Sequence, residues 1–344
     1  MQKPVLVIKL GSATISNNDG SINKNIIKKV ADEIAALTSN CRVVLVSSGA
    51  VGSGKSFLKN YKGHITERKA AAAVGNPLLI QLYYKYFSQH GIAVAQALCE
   101  RHHFSDRVQF LQLKETFAMF WNNNILPVVN ENDLVSNIEI KFSDNDELAT
   151  LIAIGFDADT LIICTSAGGF FNADKNIIPV VEKIDSTIRS YVQSDKSNLG
   201  LGGMLSKLTF TKLATSLGIK VIICGLQQNN FLKYALEGMN GTTFLPLKSN
   251  FKARQKWLAG GSITLGNIIV DAGAVKALMN RKSLLTVGIK KIEGNFAAGE
   301  VVQIMNDEQE IIGVAKVRLD VTDINNQIAQ KNIIAAHADN IVIF

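Results

Sequence analysis

From Val5 to Cys224 the chain alternates short apolar runs with stretches of helical periodicity, and this alternation is the strongest constraint on its fold. Val5 to Ile8 is followed by Asn25 to Leu37, where Ile26, Ile27, Val30, Ile34 and Leu37 recur at helical spacing, and then by the apolar run Arg42 to Val46. The pattern continues with a helical stretch from Arg68 to Gln89, an apolar run from Ile92 to Leu98, a helix over Arg107 to Trp121 and a strand from Ile125 to Asn130. Helical runs at Asn145 to Gly155 and Met204 to Leu217 and strands at Thr160 to Thr165 and Val221 to Cys224 complete it. Apolar strands joined through helices predict an α/β fold: a mostly parallel sheet covered on both faces, with ligands in the crevice at the carboxyl ends of the strands.

The pattern changes near Asn250. A basic segment from Phe251 to Trp257 and the pair Gly260-Gly261 lead into short β-branched runs: Ser262 to Thr264, Asn267 to Val270, Leu284 to Val287, Glu300 to Met305 and Ile311 to Val317. Asn306-Asp307 reads as a hairpin turn. The expected organisation is a first domain over residues 1–250, a linker over 251–259 and a small, mostly β domain over 260–344.

With 47% of its residues apolar and 19% charged, the chain can bury a large core, which excludes disorder over most of its length. No run of eighteen apolar residues occurs, and Met1 to Ser12 lead straight into a strand pattern with no leader-like segment. The expectation is a cytoplasmic protein with no membrane partner. Cys41, Cys99, Cys164 and Cys224 lack metal-site spacing and read as reduced core residues. The five histidines show no triad or metal spacing. The formal charge is +7, yet 11 basic residues face 9 acidic ones from Phe251 onward, so the balance suits an anionic ligand and argues against nucleic acid.

Four motifs lie at predicted strand or helix ends. Gly49-Ala-Val-Gly-Ser-Gly54-Lys55-Ser56 satisfies the phosphate-binding G-x-x-x-x-G-K-[ST] pattern directly after Arg42 to Val46. Such a loop opens a substantial helix, whereas here Phe57 to Lys62 is all that precedes Gly63, and Leu161 to Cys164 ends in Thr165-Ser166 rather than an aspartate. The alternative is a Ser-Gly turn that brings backbone N–H groups to some anion. Lys9, with Gly11 and Ser12, ends the first strand, where its ammonium could neutralise charge on a transferred phosphoryl group; an exposed strand-end lysine is the plainer account. Gly200, Gly202 and Gly203 precede Met204 and Lys207 at a helix start, a setting that lets backbone and ammonium approach phosphates, although loop glycines are common. Asn130-Glu-Asn-Asp133 follows a strand, and Ser143-Asp-Asn-Asp-Glu147 stands at a helix start, where capping accounts for one residue but not for all of them.

Taken in order, Val7-Ile-Lys-Leu-Gly-Ser12, Val46-Ser-Ser-Gly-Ala-Val51, Ala72-Ala-Val-Gly-Asn-Pro77, Asn130 to Asp133, Ser143 to Leu148 and Gly200 to Lys207 resemble the glutamate 5-kinases, a branch of the amino-acid kinases. Trp257, Asp271 to Val275, Ser283 to Leu285 with Gly288-Ile289, and Gly294 to Phe296 with Gly299 to Val301 are similar to the PUA domain that many of them carry. The resemblance implies an αβα sandwich of the amino-acid kinase fold and transfer of the γ-phosphoryl group of ATP, with Mg²⁺ carried by its phosphates, to the γ-carboxylate of L-glutamate in proline biosynthesis. It further implies that Lys9 and Lys207 stabilise the transferring group and Asp146 orients them. Ser48, Gly49, Ala50, Asp133 and Asn145 would hold glutamate, and Lys9, Thr165, Ser166, Gly202, Gly203, Met204 and Lys207 would hold ATP. Lys55 would then be dispensable. Proline as a feedback inhibitor and a homo-oligomer, tetramer or dimer, are family expectations. The chain departs from the family pattern at Ser166, Leu201 and Ser206. Rival readings keep the fold and change the acceptor to aspartate, acetylglutamate, carbamate or a nucleoside monophosphate, or make the chain an RNA-binding module on a degenerate kinase scaffold.

Overall fold

The computed structural model describes residues 3–17, 19–135, 144–193, 201–248, 255–256, 258, 264–328, 330 and 332–343. The chain divides into two compact units, Met1–Lys248 and Ser249–Phe344. No helix among the described residues is long and apolar enough to cross a membrane.

The first unit is built on an eight-stranded sheet. Its strands are β1 (Val5–Leu10), β2 (Arg42–Ser47), β3 (Ala93–Cys99), β4 (Ile125–Glu131), β5 (Thr160–Cys164), β6 (Val180–Val181), β7 (Lys220–Cys224) and β8 (Thr242–Phe244), in the order β3-β4-β2-β1-β5-β7-β8-β6. Every pairing is parallel except β7 with β8. β1 is central and buried along its whole length. Side chains alternate across the sheet, and Leu6, Ile8 and Leu10 join Val43 and Leu45 in one core with Ile27, Val30 and Ile34 of helix α2 (Lys24–Thr38). That alternation sends Val7 and Lys9 to the opposite face. There, helices α6 (Arg107–Asn122), α7 (Asn145–Gly155) and α9 (Leu201–Ser216) pack against the strands.

Caps set the helix starts much as the sequence suggests: Asn23 accepts from the N–H groups of Asn25 and Ile26, and Asp106 from those of Val108 and Gln109. The stretch read as Arg68 to Gln89 is helix α4 (Ile65–Phe87), started three residues earlier because the Glu67 carboxylate accepts from the His64 N–H. Strands β6 and β8 carry no periodicity that the sequence reading detects, being two and three residues long.

The second unit contains a five-stranded sheet, made of Ile289–Gly294, Thr264–Val270, Val301–Met305, Ile311–Lys316 and Ile341–Ile343 in that spatial order, and a two-stranded sheet of Leu284–Leu285 with Ile334–Ala336. Ile268, Val270, Leu278, Phe296, Val302, Ile304, Ala315 and Ile324 form its core. Asn306 turns the hairpin by accepting from the N–H groups of Glu308 and Glu310. The run Leu284 to Val287 is strand only over its first two residues and continues as a 3₁₀ turn at Thr286–Gly288. Most of the expected linker and Trp257 lie outside the described residues.

Gly54 of the phosphate-loop lookalike and Gly75 of α4 have packing reasons. The short helix α3 (Ala50–Gly54) lies directly on α4: a Cβ at Gly75 would stand 1.8 Å from the Ala50 carbonyl oxygen, and one at Gly54 would stand 2.0 Å from that of Ala71. Alanine in a helix interior gains about 1 kcal/mol over glycine, but here backbone would have to move, and overpacking costs about 1–3 kcal/mol or more. Gly75→Ala is therefore expected to lower the urea midpoint despite its better helix propensity; an unchanged or raised midpoint would contradict the packing described.

Candidate active site

A cleft of about 590 Å³ opens at the carboxyl ends of β1, β2 and β5, where a parallel sheet of this kind presents its ligand crevice. Lys9 is the penultimate residue of β1, in register with Val46 on β2 and Ile163 on β5. Its neighbours are apolar strand residues and its side chain is 6% exposed. Lys9 Nζ lies 2.6 Å from Asp146 Oδ1, and Lys207 Nζ lies 2.9 Å from Asp146 Oδ2. Asp146 is 1% exposed and Lys207 16%.

The local structure of α7 explains this arrangement. Asp144 is its N-cap, and Oδ1 accepts from the N–H groups of Asp146 and Glu147. Capping thus accounts for Asp144 and releases Asp146, in the first turn, to meet the two lysines. The first turn of a helix favours a carboxylate electrostatically. The other Asp144 oxygen accepts from Ser206 Oγ at 2.7 Å, which ties α7 to α9 and places Lys207 one residue further on. Two ammoniums share the Asp146 carboxylate, and the other carboxylate lining the cleft, Asp144, is taken up by the N–H groups of α7 and by Ser206 Oγ, so the ammonium donors are the charged groups left to meet a ligand. Buried charge is costly unless paired, so the cleft is a site for an anion.

On one side of this triad stands the turn after β2. Ser48 Oγ accepts from Asn145 Nδ2 at 2.9 Å, and the same amide nitrogen donates to Asn130 Oδ1 at 3.0 Å. Gly49 has φ +108°, a left-handed conformation, and a Cβ there would meet Ile15 Cδ1 at 2.9 Å. Ala50 is buried and opens α3. On the other side, Thr165, Ser166, Gly203 and Met204 line the cleft together with Phe170, Phe171 and Tyr191. The Thr165 N–H donates to the Cys224 carbonyl, and Thr14 Oγ1 donates to that of Cys164. Cys164 also borders the cleft as a free thiol; a hydrogen bond with the Cys224 thiol and its burial hold it well above its usual range, which disfavours the thiolate.

Of the residues singled out in the sequence, Lys9, Ser48, Asn145, Asp146, Thr165, Ser166, Gly203, Met204 and Lys207 border one cleft. Gly49, Ala50 and Asp133 are not among its lining residues: Gly49 and Ala50 form the turn behind Ser48, and Asp133 stands in the turn beyond β4; Gly202 sits in the first turn of α9. Ser143 and Gly200 lie outside the described residues. Sequence reasoning did not single out Thr14, Phe170, Phe171 or Tyr191, which come from separate segments with no shared spacing. Lys55 is absent from the cleft lining; its Nζ donates to the Asp19 carbonyl at 2.7 Å, and α3 is five residues long, so the phosphate-loop lookalike builds no phosphate site here.

The chain was compared with known proteins. The model of the Amino acid kinase family matches residues 4–225, and that of the PUA domain matches residues 266–334. The chain is 37% identical to "Glutamate 5-kinase" of Aquifex aeolicus, covering 98% of this chain and 99% of that protein. It is 34% identical to "Glutamate 5-kinase" of Haemophilus influenzae over the whole of both, and 36% identical to that of Thermoanaerobacter sp. over 89% and 86%. Among solved structures, the UMP kinase from Ureaplasma parvum matches with a TM-score of 0.48 at 13% identity, covering 71% of this chain and 100% of that one. With the kinase model spanning seven of the eight strands of the sheet that carries Lys9, and full-length relatives at 34% and 37% identity, the chain belongs to the amino acid kinase family, among the glutamate 5-kinases, and carries a PUA domain.

Proposed function

We propose that this chain transfers the γ-phosphoryl group of ATP to the γ-carboxylate of L-glutamate, giving γ-glutamyl phosphate, the first step of proline biosynthesis. The observation that carries the reading is the buried Lys9–Asp146–Lys207 triad, whose surplus positive charge faces a cleft between the Ser48 turn and the Thr165, Gly203 and Met204 wall.

Phosphoryl transfer asks little covalent chemistry of a protein; it asks that two anions be aligned and that the charge spread over the equatorial oxygens of the transferring group be met by fixed donors. Lys9, on the rigid central strand, and Lys207, on α9, reach the same carboxylate from different elements, so Asp146 sets the spacing of their ammoniums. Each retains donors beyond the one facing Asp146. Ser48 and Asn145 hold the acceptor, with the N–H groups of the glycine turn beside them, and Asp133 pairs with its ammonium. Thr165, Ser166 and the start of α9, at Gly202 and Gly203, receive the nucleotide. Among the described residues no cluster of three His, Cys, Asp or Glu groups can hold a metal alone; in this reading Mg²⁺ arrives on the ATP phosphates, where it neutralises charge. Feedback inhibition by proline, a homo-oligomeric state and a cytoplasmic location belong to the same reading, by analogy with the family.

The test is ATP consumption with L-glutamate, Mg²⁺ and hydroxylamine, run beside aspartate, acetylglutamate and carbamate. Glutamate-dependent hydroxamate is expected, with little from the other acceptors. Hydroxamate from another acceptor, or ADP release independent of any acceptor, would sink the assignment.

A further inference from the structure

Behind the Ser48 turn runs a line of amides that starts at Asn145 in the cleft wall and continues through buried Asn130 and Asn76. Asn145 Nδ2 donates to both Ser48 Oγ, at 2.9 Å, and Asn130 Oδ1, at 3.0 Å. Asn130 Nδ2 in turn donates to Asn76 Oδ1 at 3.0 Å. Asn76 lies on α4, is 8% exposed and does not line the cleft. The backbone of the same turn is held from the same helix: Tyr83 bonds Ser47 Oγ at 2.7 Å, and Ser47 Oγ donates to the Ser48 carbonyl at 2.9 Å.

A primary amide has one end that only donates and one that only accepts, so a line of amides has a direction. Because Asn76 presents its carbonyl oxygen, Asn130 must present its nitrogen there and its oxygen to Asn145. Asn145 then spends both amide protons, one on Asn130 and one on Ser48. Ser48 Oγ is thereby an acceptor within the protein, and its hydroxyl proton is left to donate outward. A hydroxyl committed to donating suits a carboxylate, which accepts only, and disfavours a neutral or cationic donor group in the same place.

We propose that Asn76 is a positioning residue for the acceptor: acting through Asn130 and Asn145, it sets the direction of the amide line so that Ser48 offers its proton to the substrate carboxylate. The proposal rests on the reading of this pocket as the glutamate subsite. It assigns Asn76 a role in acceptor affinity, with no contact to the transferring phosphoryl group.

The test compares Asn76→Ala with Asn76→Asp. The aspartate can only accept, so it preserves the stated direction; a line running the other way would need a donor there and would be broken by it. Asn76→Ala is expected to raise KM for glutamate about tenfold while KM for ATP stays within about twofold. Asn76→Asp is expected to recover most of that rise. Side-chain amide protons of Asn145, followed by NMR hydrogen exchange, are expected to exchange slowly in the wild type and in Asn76→Asp and faster in Asn76→Ala. A folded Asn76→Ala variant with unchanged glutamate KM would overturn the proposal. So would loss in both variants that tracks only their melting temperatures, or equal loss in KM for glutamate and ATP. Should the wild type use a different acceptor, the functional reading fails separately, and the same contrast in KM for that acceptor, with the exchange rates, still decides the role of Asn76.

Discussion

Lys9→Ala is expected to cut kcat by about 10²- to 10³-fold, the usual cost of removing one donor aimed at charge that develops in a transition state. The ammonium is nearly fully buried at the end of the central strand and ion-paired at 2.6 Å, so its removal takes away a donor held in a fixed position. Lys207→Ala is expected to fall on the same scale. Its side chain is more exposed and stands on a helix rather than within the sheet, so a small amine added to the medium should recover part of its activity and less of the Lys9 variant's. Lys55→Ala should retain most of the wild-type turnover, because that ammonium is spent on the Asp19 carbonyl away from the cleft. Steady-state kinetics on the three variants decides the matter: a crippled Lys55 variant beside an active Lys9 variant would revive the phosphate loop.

The second large effect is on Asp146. Asp146→Asn keeps the shape and removes the charge, leaving two ammoniums near each other at the floor of the cleft with no carboxylate between them. Breaking a buried ion pair by removing one partner typically costs about 3–5 kcal/mol in stability. The spacing of the lysines is lost with it, so kcat should also fall by about 10²-fold or more. The two losses should respond differently to anions: inorganic phosphate or sulfate, which can stand between the lysines, should raise the melting temperature of the variant more than that of the wild type. A variant as stable as the wild type, with no added response to anions, would show that Asp146 does not balance the two charges.

How much of this was legible in the sequence differs from residue to residue. Lys9 stands out as the one charge in the apolar run of the first strand, yet an exposed lysine is the plainer account, and only the fold shows it buried on the sheet face against Asp146. The parallel sheet was legible, since buried strands are continuous apolar runs. The acidic cluster at Asp144 to Glu147 could not be resolved from residue type alone. Capping and ion pairing use the same side chains, and only the fold shows that Asp144 spends its oxygens on N–H groups and Ser206 while Asp146 meets the lysines. The phosphate-loop pattern lacks, already in the sequence, the helix that such a loop opens, and the fold supplies the reason for Gly54: the close approach of α3 to α4, a contact of backbone with backbone that leaves no periodic trace. Asn76 was legible only as a member of the Ala72 to Pro77 motif, with no role attached: its partner is 54 residues away, and the bond appears only once the helix is laid behind the pocket.

In the proposed reaction a carboxylate oxygen of glutamate, held beside the Lys9–Asp146–Lys207 triad, attacks the γ-phosphorus. This attack is tested most directly with glutamate labelled with ¹⁸O in its γ-carboxylate, with MgATP and hydroxylamine. Hydroxylamine displaces phosphate from an acyl phosphate at carbon, so the bridging oxygen leaves with the phosphate. One ¹⁸O in the released phosphate is the predicted result, lost in step with turnover in the Lys9→Ala and Lys207→Ala variants. Phosphate without label, released at the same rate with or without glutamate, would mean that water is the acceptor and would contradict the account.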